Sequence, residues 1–136
     1  VARQDASSVK KTLEIIADRF AGNERGIDSN SLFKALVSRE KLGSTGLGSG
    51  VAIPHCRIKH CTHPVGVLLS LNEGVDFAGV DDQPTDLVFA LIVPAEENRQ
   101  HLQALQSIVS KLKSADYRDR LRQAPDDETL YREAIS

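Results

Sequence analysis

The run Leu42-Gly-Ser-Thr-Gly-Leu-Gly-Ser-Gly-Val-Ala-Ile-Pro-His-Cys56 restricts the fold more than any other part of the chain. Glycines at 43, 46, 48 and 50 exclude a helix there, because each costs about 1 kcal/mol relative to alanine in a helix interior. In an extended chain, side chains alternate faces. Gly46, Gly48 and Gly50 then share one face with Ala52, while Leu47, Val51 and Ile53 share the other. This pattern predicts one strand with an apolar face for the core and a bare backbone face suited to close approach by another group. Pro54 lacks an N–H, so it is expected to end the strand and project His55 from its carboxyl end. Ligands and chemistry collect at such ends in open α/β sheets. A histidine there can act as nucleophile, acid–base group or metal ligand. On composition alone, a glycine turn followed by an incidental loop histidine fits equally well.

The flanking sequence is periodic. Val9, Leu13, Ile16, Ala17 and Phe20 recur at helical spacing from Ser8 to Ala21, with Ser7 or Ser8 as cap and Gly22 as stop. A second helix is expected from Asp28 or Asn30 to about Glu40, burying Leu32, Leu36 and Val37 and closed by Gly43. Val65–Leu71 and Thr85–Val93 read as buried strands; Asn72-Glu73-Gly74 bounds the first and Pro94 the second. Asn98 can cap a long helix carrying Leu102, Leu105, Ile108, Val109 and Leu112, and shorter helices are expected over 116–123 and 126–134. Apolar strands interleaved with amphipathic helices predict a layered α/β domain.

The chain of 136 residues, 40% of them hydrophobic, is the size of one domain spanning 1–136, with enough core to need neither disulfides nor metal. A net charge of −2 lacks the basic stripe of a nucleic-acid binder. No apolar run approaches the ~20 residues of a membrane span, and no signal peptide opens the chain. Two cysteines are not a secreted disulfide framework, so a cytoplasmic protein is expected. The chain contains no Met and starts at Val1, so the natural N-terminus is expected to be missing.

From Glu40 through Leu47-Gly48, Val51-Ala-Ile-Pro-His55 and Cys56, the chain resembles the fructose/mannitol-type enzyme IIA domains of the bacterial phosphotransferase system. The glycine-rich version here is most similar to the nitrogen-related branch, a stand-alone regulatory IIA. The resemblance continues through Asp81-Asp-Gln-Pro-Thr-Asp-Leu-Val-Phe-Ala-Leu-Ile-Val-Pro94 and His101-Leu-Gln-Ala-Leu105, covering most of the chain. It implies a mixed β-sheet flanked by helices, no cofactor, and a phosphocarrier that receives a phosphoryl group on His55 from a small HPr-like phosphohistidine protein. Arg39, sixteen residues before His55, matches the family's phosphoryl-stabilising arginine. His101, which lies 46 residues after His55, matches a second histidine of the mannitol-type relatives and would donate a hydrogen bond to the phosphoryl group. Ser44, Thr45, Gly48 and Gly50 are phosphate-pocket candidates through hydroxyl or backbone N–H donors, although Ser44 and Thr45 serve equally well as turn formers.

The family most often carries Gly after the active histidine, where this chain has Cys56. His60, Cys61 and His63 follow, which raises a metal-binding module as an alternative, but adjacent ligand pairs do not easily reach one ion. No metal is therefore assigned, and a Cys56–Cys61 disulfide is disfavoured in a reducing compartment. The second alternative keeps the chemistry and changes its purpose: a sugar-specific IIA handing phosphate to a IIB domain for fructose or mannitol uptake. Arg118, Arg120 and Arg122 form a basic run that reads as a solvated face, an acidic-partner contact or a dimer contact.

Overall fold

The computed structural model describes residues 2–6, 8–23, 28–58, 65–77, 83–94 and 99–135, with side chains outside the description at 22, 23, 99–102, 104 and 135. In chain order the elements are α1 (Val9–Asn23), α2 (Ser29–Leu42), β1 (Gly46–Gly48), β2 (Val51–Ala52), β3 (His55–Ile58), β4 (Val65–Val75), β5 (Thr85–Pro94), α3 (Arg99–Leu112), α4 (Ala115–Gln123) and α5 (Asp127–Ile135).

A mixed sheet is built around β5, a long and largely apolar strand. The antiparallel β4 lies along one edge, with Val65 opposite Ile92 and Ser70 opposite Leu87. Along the other edge run β2 and then β3, both parallel to β5. Alternation along β5 divides the core. Val88, Ala90 and Ile92 join Ala52, Cys56 and Leu69 against Leu13, Ile16 and Phe20 of α1 and Leu32 and Leu36 of α2. Leu87 joins Val51 and Ile53 against Leu112, Tyr117, Leu121 and Leu130 of α3, α4 and α5. A central sheet with helices on both faces results, as the interleaved pattern predicts.

Several boundaries differ from expectation. The glycine-rich run is not one strand. It reverses at Ser49-Gly50 into a tight antiparallel hairpin, with Gly46 opposite Ala52 and Gly48 opposite Val51. Ser49 and Gly50 have φ of 57° and 77°, the positive values that a two-residue type I′ turn requires. The face shared by Gly46, Gly48, Gly50 and Ala52 therefore does not form. Nor does Pro54 end the strand: Val51 faces Leu87 and His55 faces Leu91, so the same register resumes beyond the proline. Its carbonyl still accepts from Leu91 N–H at 2.9 Å, so only its missing donor interrupts the ladder. Helix α1 runs past Gly22, and β4 passes through Asn72-Glu73-Gly74 as a register irregularity instead of stopping there.

Caps follow the sequence closely. Asp28 accepts from Ser31 N–H at 3.0 Å, and Asp126 accepts from Thr129 N–H at 2.8 Å. Gly43 closes α2 by donating its N–H to Glu40 O at 3.2 Å. Asn98 lies outside the described residues. The segment before α1 also belongs to the sheet: Gln4 N–H donates to Ser70 O at 2.8 Å, and Asn72 N–H donates to Gln4 O at 2.9 Å.

Candidate functional site

His55 opens β3 toward the carboxyl end of β5, and its ring is half-buried. Its Nδ1 lies 2.9 Å from Ile53 O. A carbonyl oxygen can only accept, so this contact assigns the proton to Nδ1 and leaves a lone pair on Nε2. Arg39 Nε–H points at that lone pair from 3.4 Å. Arg39 sits in the last turn of α2, where a cation meets the negative end of the helix dipole, and its Nη1 donates to Gly43 O at 2.9 Å. A nucleophilic nitrogen thus stands beside an anchored guanidinium, the pairing needed to receive a phosphoryl group and balance its charge.

The hydroxyls of Ser44 and Thr45 are already engaged. Ser44 donates to Phe77 O and accepts from Gly46 N–H at 3.0 Å. Thr45 is buried and donates its hydroxyl to Glu40 Oε2 at 2.7 Å, while its N–H donates to Glu40 Oε1 at 3.0 Å. The hairpin carries Gly48 and Gly50 away from His55. Gly50 O accepts from Asp86 and Leu87 N–H, which precede the Leu91 that faces His55 by five and four residues, about 13–16 Å along the strand at ~3.3 Å per residue. A Cβ on Gly50 would lie 2.5 Å from Arg122 Nη2, so its bareness serves the packing of the Arg122–Asp86 pair.

The backbone of His101 lies in the first turn of α3, and its side chain is outside the described residues. His60, Cys61 and His63 are also outside them. Cys56 is buried in the core facing α1 and α2, and alternation directs His55 to the opposite face of the strand. The basic run is engaged within the fold rather than forming a solvated face. Arg118 donates to Leu112 O at 2.8 Å, Arg120 pairs with Asp116 at 3.3 Å, and Arg122 pairs with Asp86 at 3.0 Å. Sequence reasoning missed the Ile53 carbonyl, since a backbone acceptor carries no residue signature, and it missed Glu40. The available signal for Glu40 was a carboxylate in the last helical turn before a glycine cap and a threonine.

A family model described as "Phosphoenolpyruvate-dependent sugar phosphotransferase system, EIIA 2" matches residues 1–135. A "Nitrogen regulatory protein" of Pseudomonas aeruginosa is 48% identical over 124 residues, covering 91% of this chain and 80% of the relative. The crystal structure of a nitrogen regulatory protein IIA-Ntr from Neisseria meningitidis superposes with a TM-score of 0.90 at 30% identity, covering 98% of this chain and 91% of that one. The IIA mannitol structure from Escherichia coli superposes at 0.77 with 21% identity, covering 97% and 92%, and shares the fold.

Proposed function

This chain belongs to the EIIA 2 family of the phosphoenolpyruvate-dependent sugar phosphotransferase system, and from that premise we propose that it is a phosphohistidine carrier of the nitrogen-regulatory branch. His55 receives a phosphoryl group from a phosphorylated HPr-like protein, and the resulting state of the chain regulates partner proteins. The observation that carries this reading is the Nε2 lone pair held 3.4 Å from Arg39 by a proton committed to Ile53 O. Similarity to nitrogen regulatory proteins supports the regulatory purpose over sugar uptake. Among the described residues no helix is long and apolar enough to cross a membrane.

In the transfer, the Nε2 lone pair attacks phosphorus as the donor's P–N bond breaks, and that bond's electron pair returns to the donor imidazole. The new P–N bond leaves partial positive charge on the His55 ring, and the Ile53 carbonyl dipole stabilises the Nδ1–H that shares it. Arg39 turns its donors from Nε2 to the equatorial phosphoryl oxygens, where charge is spread in a loose transition state. His101, whose backbone opens α3, adds a further donor under this reading.

The test is incubation with enzyme I, an HPr-like carrier and phosphoenolpyruvate, followed by mapping of acid-labile phosphate. Phosphate is expected on Nε2 of His55, distinguishable from an Nδ1 adduct by phosphorus NMR, and absent from His55→Ala. Equal uptake by His55→Ala overturns the assignment. Efficient onward transfer to a fructose or mannitol IIB domain overturns the regulatory purpose while leaving the chemistry intact.

A further inference from the structure

The described hydrogen bonds of Glu40 go to Thr45 and Gly43, not to His55, yet those around it close a circuit through His55 and Arg39. Its carboxylate grips Thr45 twice, accepting from N–H at 3.0 Å and from the hydroxyl at 2.7 Å. The Thr45 carbonyl accepts from Ile53 N–H at 3.0 Å. The Ile53 carbonyl faces His55 Nδ1 at 2.9 Å, and His55 Nε2 faces Arg39, the residue before Glu40. The backbone of Glu40 takes part as well, because its carbonyl accepts from Gly43 N–H at 3.2 Å while Gly43 O holds Arg39 Nη1 at 2.9 Å.

From this circuit we infer that Glu40 is the positioning residue of the site: through Thr45 it sets the Ile53 peptide, and through that peptide the tautomer and orientation of His55. The chemistry favours such a relay. The edge of β2 ends at Ala52, so the Ile53 peptide lies in the gap between β2 and β3. There, Thr45 O is the described acceptor for Ile53 N–H. Thr45 is 5% exposed, so its amide and hydroxyl depend on a protein acceptor instead of water. A carboxylate offers acceptor sites for both donors at once, whereas an amide side chain offers one oxygen and two donors. One residue thereby holds the end of α2, which carries Arg39, in register with the strand that carries His55.

This inference rests on the phosphocarrier reading for its rate prediction but not for its structural one. In Glu40→Gln, one Thr45 donor loses its partner and the Ile53 carbonyl is released from its register. Long-range nitrogen–proton spectra of the His55 imidazole are expected to show a fall in the Nδ1–H tautomer of about twofold or more, and phosphoryl uptake is expected to slow about tenfold, with the circular dichroism spectrum retained. The pair Thr45→Val and Thr45→Ser provides the same test should the Glu40 variant fail to fold. The serine variant keeps both donors and should match the parent protein, while the valine variant should shift the tautomer and slow uptake. Unchanged imidazole shifts in Glu40→Gln and Thr45→Val, or shifted tautomers with an unchanged uptake rate, overturn the positioning role. A parent protein that takes no phosphate on His55 overturns the phosphocarrier reading instead, and the tautomer measurement still decides the role of Glu40.

Discussion

A neutral imidazole has two nitrogens, and here a backbone carbonyl decides which of them keeps the proton. Ile53 O takes Nδ1–H, so under the proposed function Nε2 is the nucleophile, and among the described residues Arg39 is a cation within reach of it. Arg39 anchors one nitrogen on Gly43 O and presents another to the ring, a fork that a lysine ammonium cannot reproduce. Arg39→Lys is therefore expected to slow phosphoryl uptake on the order of 10²-fold, the usual cost of losing one preorganised donor to developing charge. Uptake kinetics at fixed donor concentration check this, and a rate within twofold of the parent protein would refute it. At this scale the sequence was informative about residue types but not about their partners. His55 stands out by its Ala-Ile-Pro-His motif and Arg39 by the family resemblance, whereas the Ile53 carbonyl carries no signature, and Glu40 opens the resembling segment without any sign of its partners.

The β1–β2 hairpin turns at Ser49-Gly50 in the left-handed region, with Arg122 of α4 reaching Ser49 O and Asp86 across it. Gly50→Ala meets both a φ of 77° and a Cβ contact 2.5 Å from Arg122 Nη2, so it is expected to destabilise the protein by about 1–3 kcal/mol. Urea unfolding measures this, and an unchanged midpoint would contradict the turn assignment. Helix starts make a second prediction. Hydrogen bonds from the backbone N–H of Ser31 and Thr129 hold the Asp28 and Asp126 carboxyls below the ordinary value of 3.8. Lowered values mean that folding favours the ionised caps. Their contribution is complete above pH 3.8 and is lost as pH falls through the lower folded-state values. Thermal melts of the parent protein should decline more steeply below pH 3.8 than those of a variant with both caps changed to alanine. Parallel declines would count against the caps. These helix ends were readable because a cap is a local motif. The hairpin was not, because strict alternation and a tight turn both suit Gly-Leu-Gly-Ser-Gly, and only the partners of Gly50 decide between them.

Across the whole molecule, the sheet separates two apolar cores, one with Leu36 and the other with Leu121, each at most 1% exposed. Leu36→Ala and Leu121→Ala are each expected to cost about 2–5 kcal/mol. Because the two side chains pack on opposite faces, the double variant should show the sum to within about 0.5 kcal/mol. A larger coupling energy in denaturant titrations would show that the faces do not act independently. By itself, the sequence determined the helices, the apolar strands β4 and β5 and the layered class, and it singled out His55 as a candidate. These rest on periodicity, caps and a long local motif, all short-range in the chain. The tertiary structure decided the reversal of the glycine run, the continuation of the strand beyond Pro54, the addition of residues before α1 to the sheet, and the tautomer of His55. Each depends on hydrogen bonds between peptides distant in sequence, such as Leu91 with Pro54 and Gln4 with Ser70, or on an acceptor placed by a fold that no local pattern encodes.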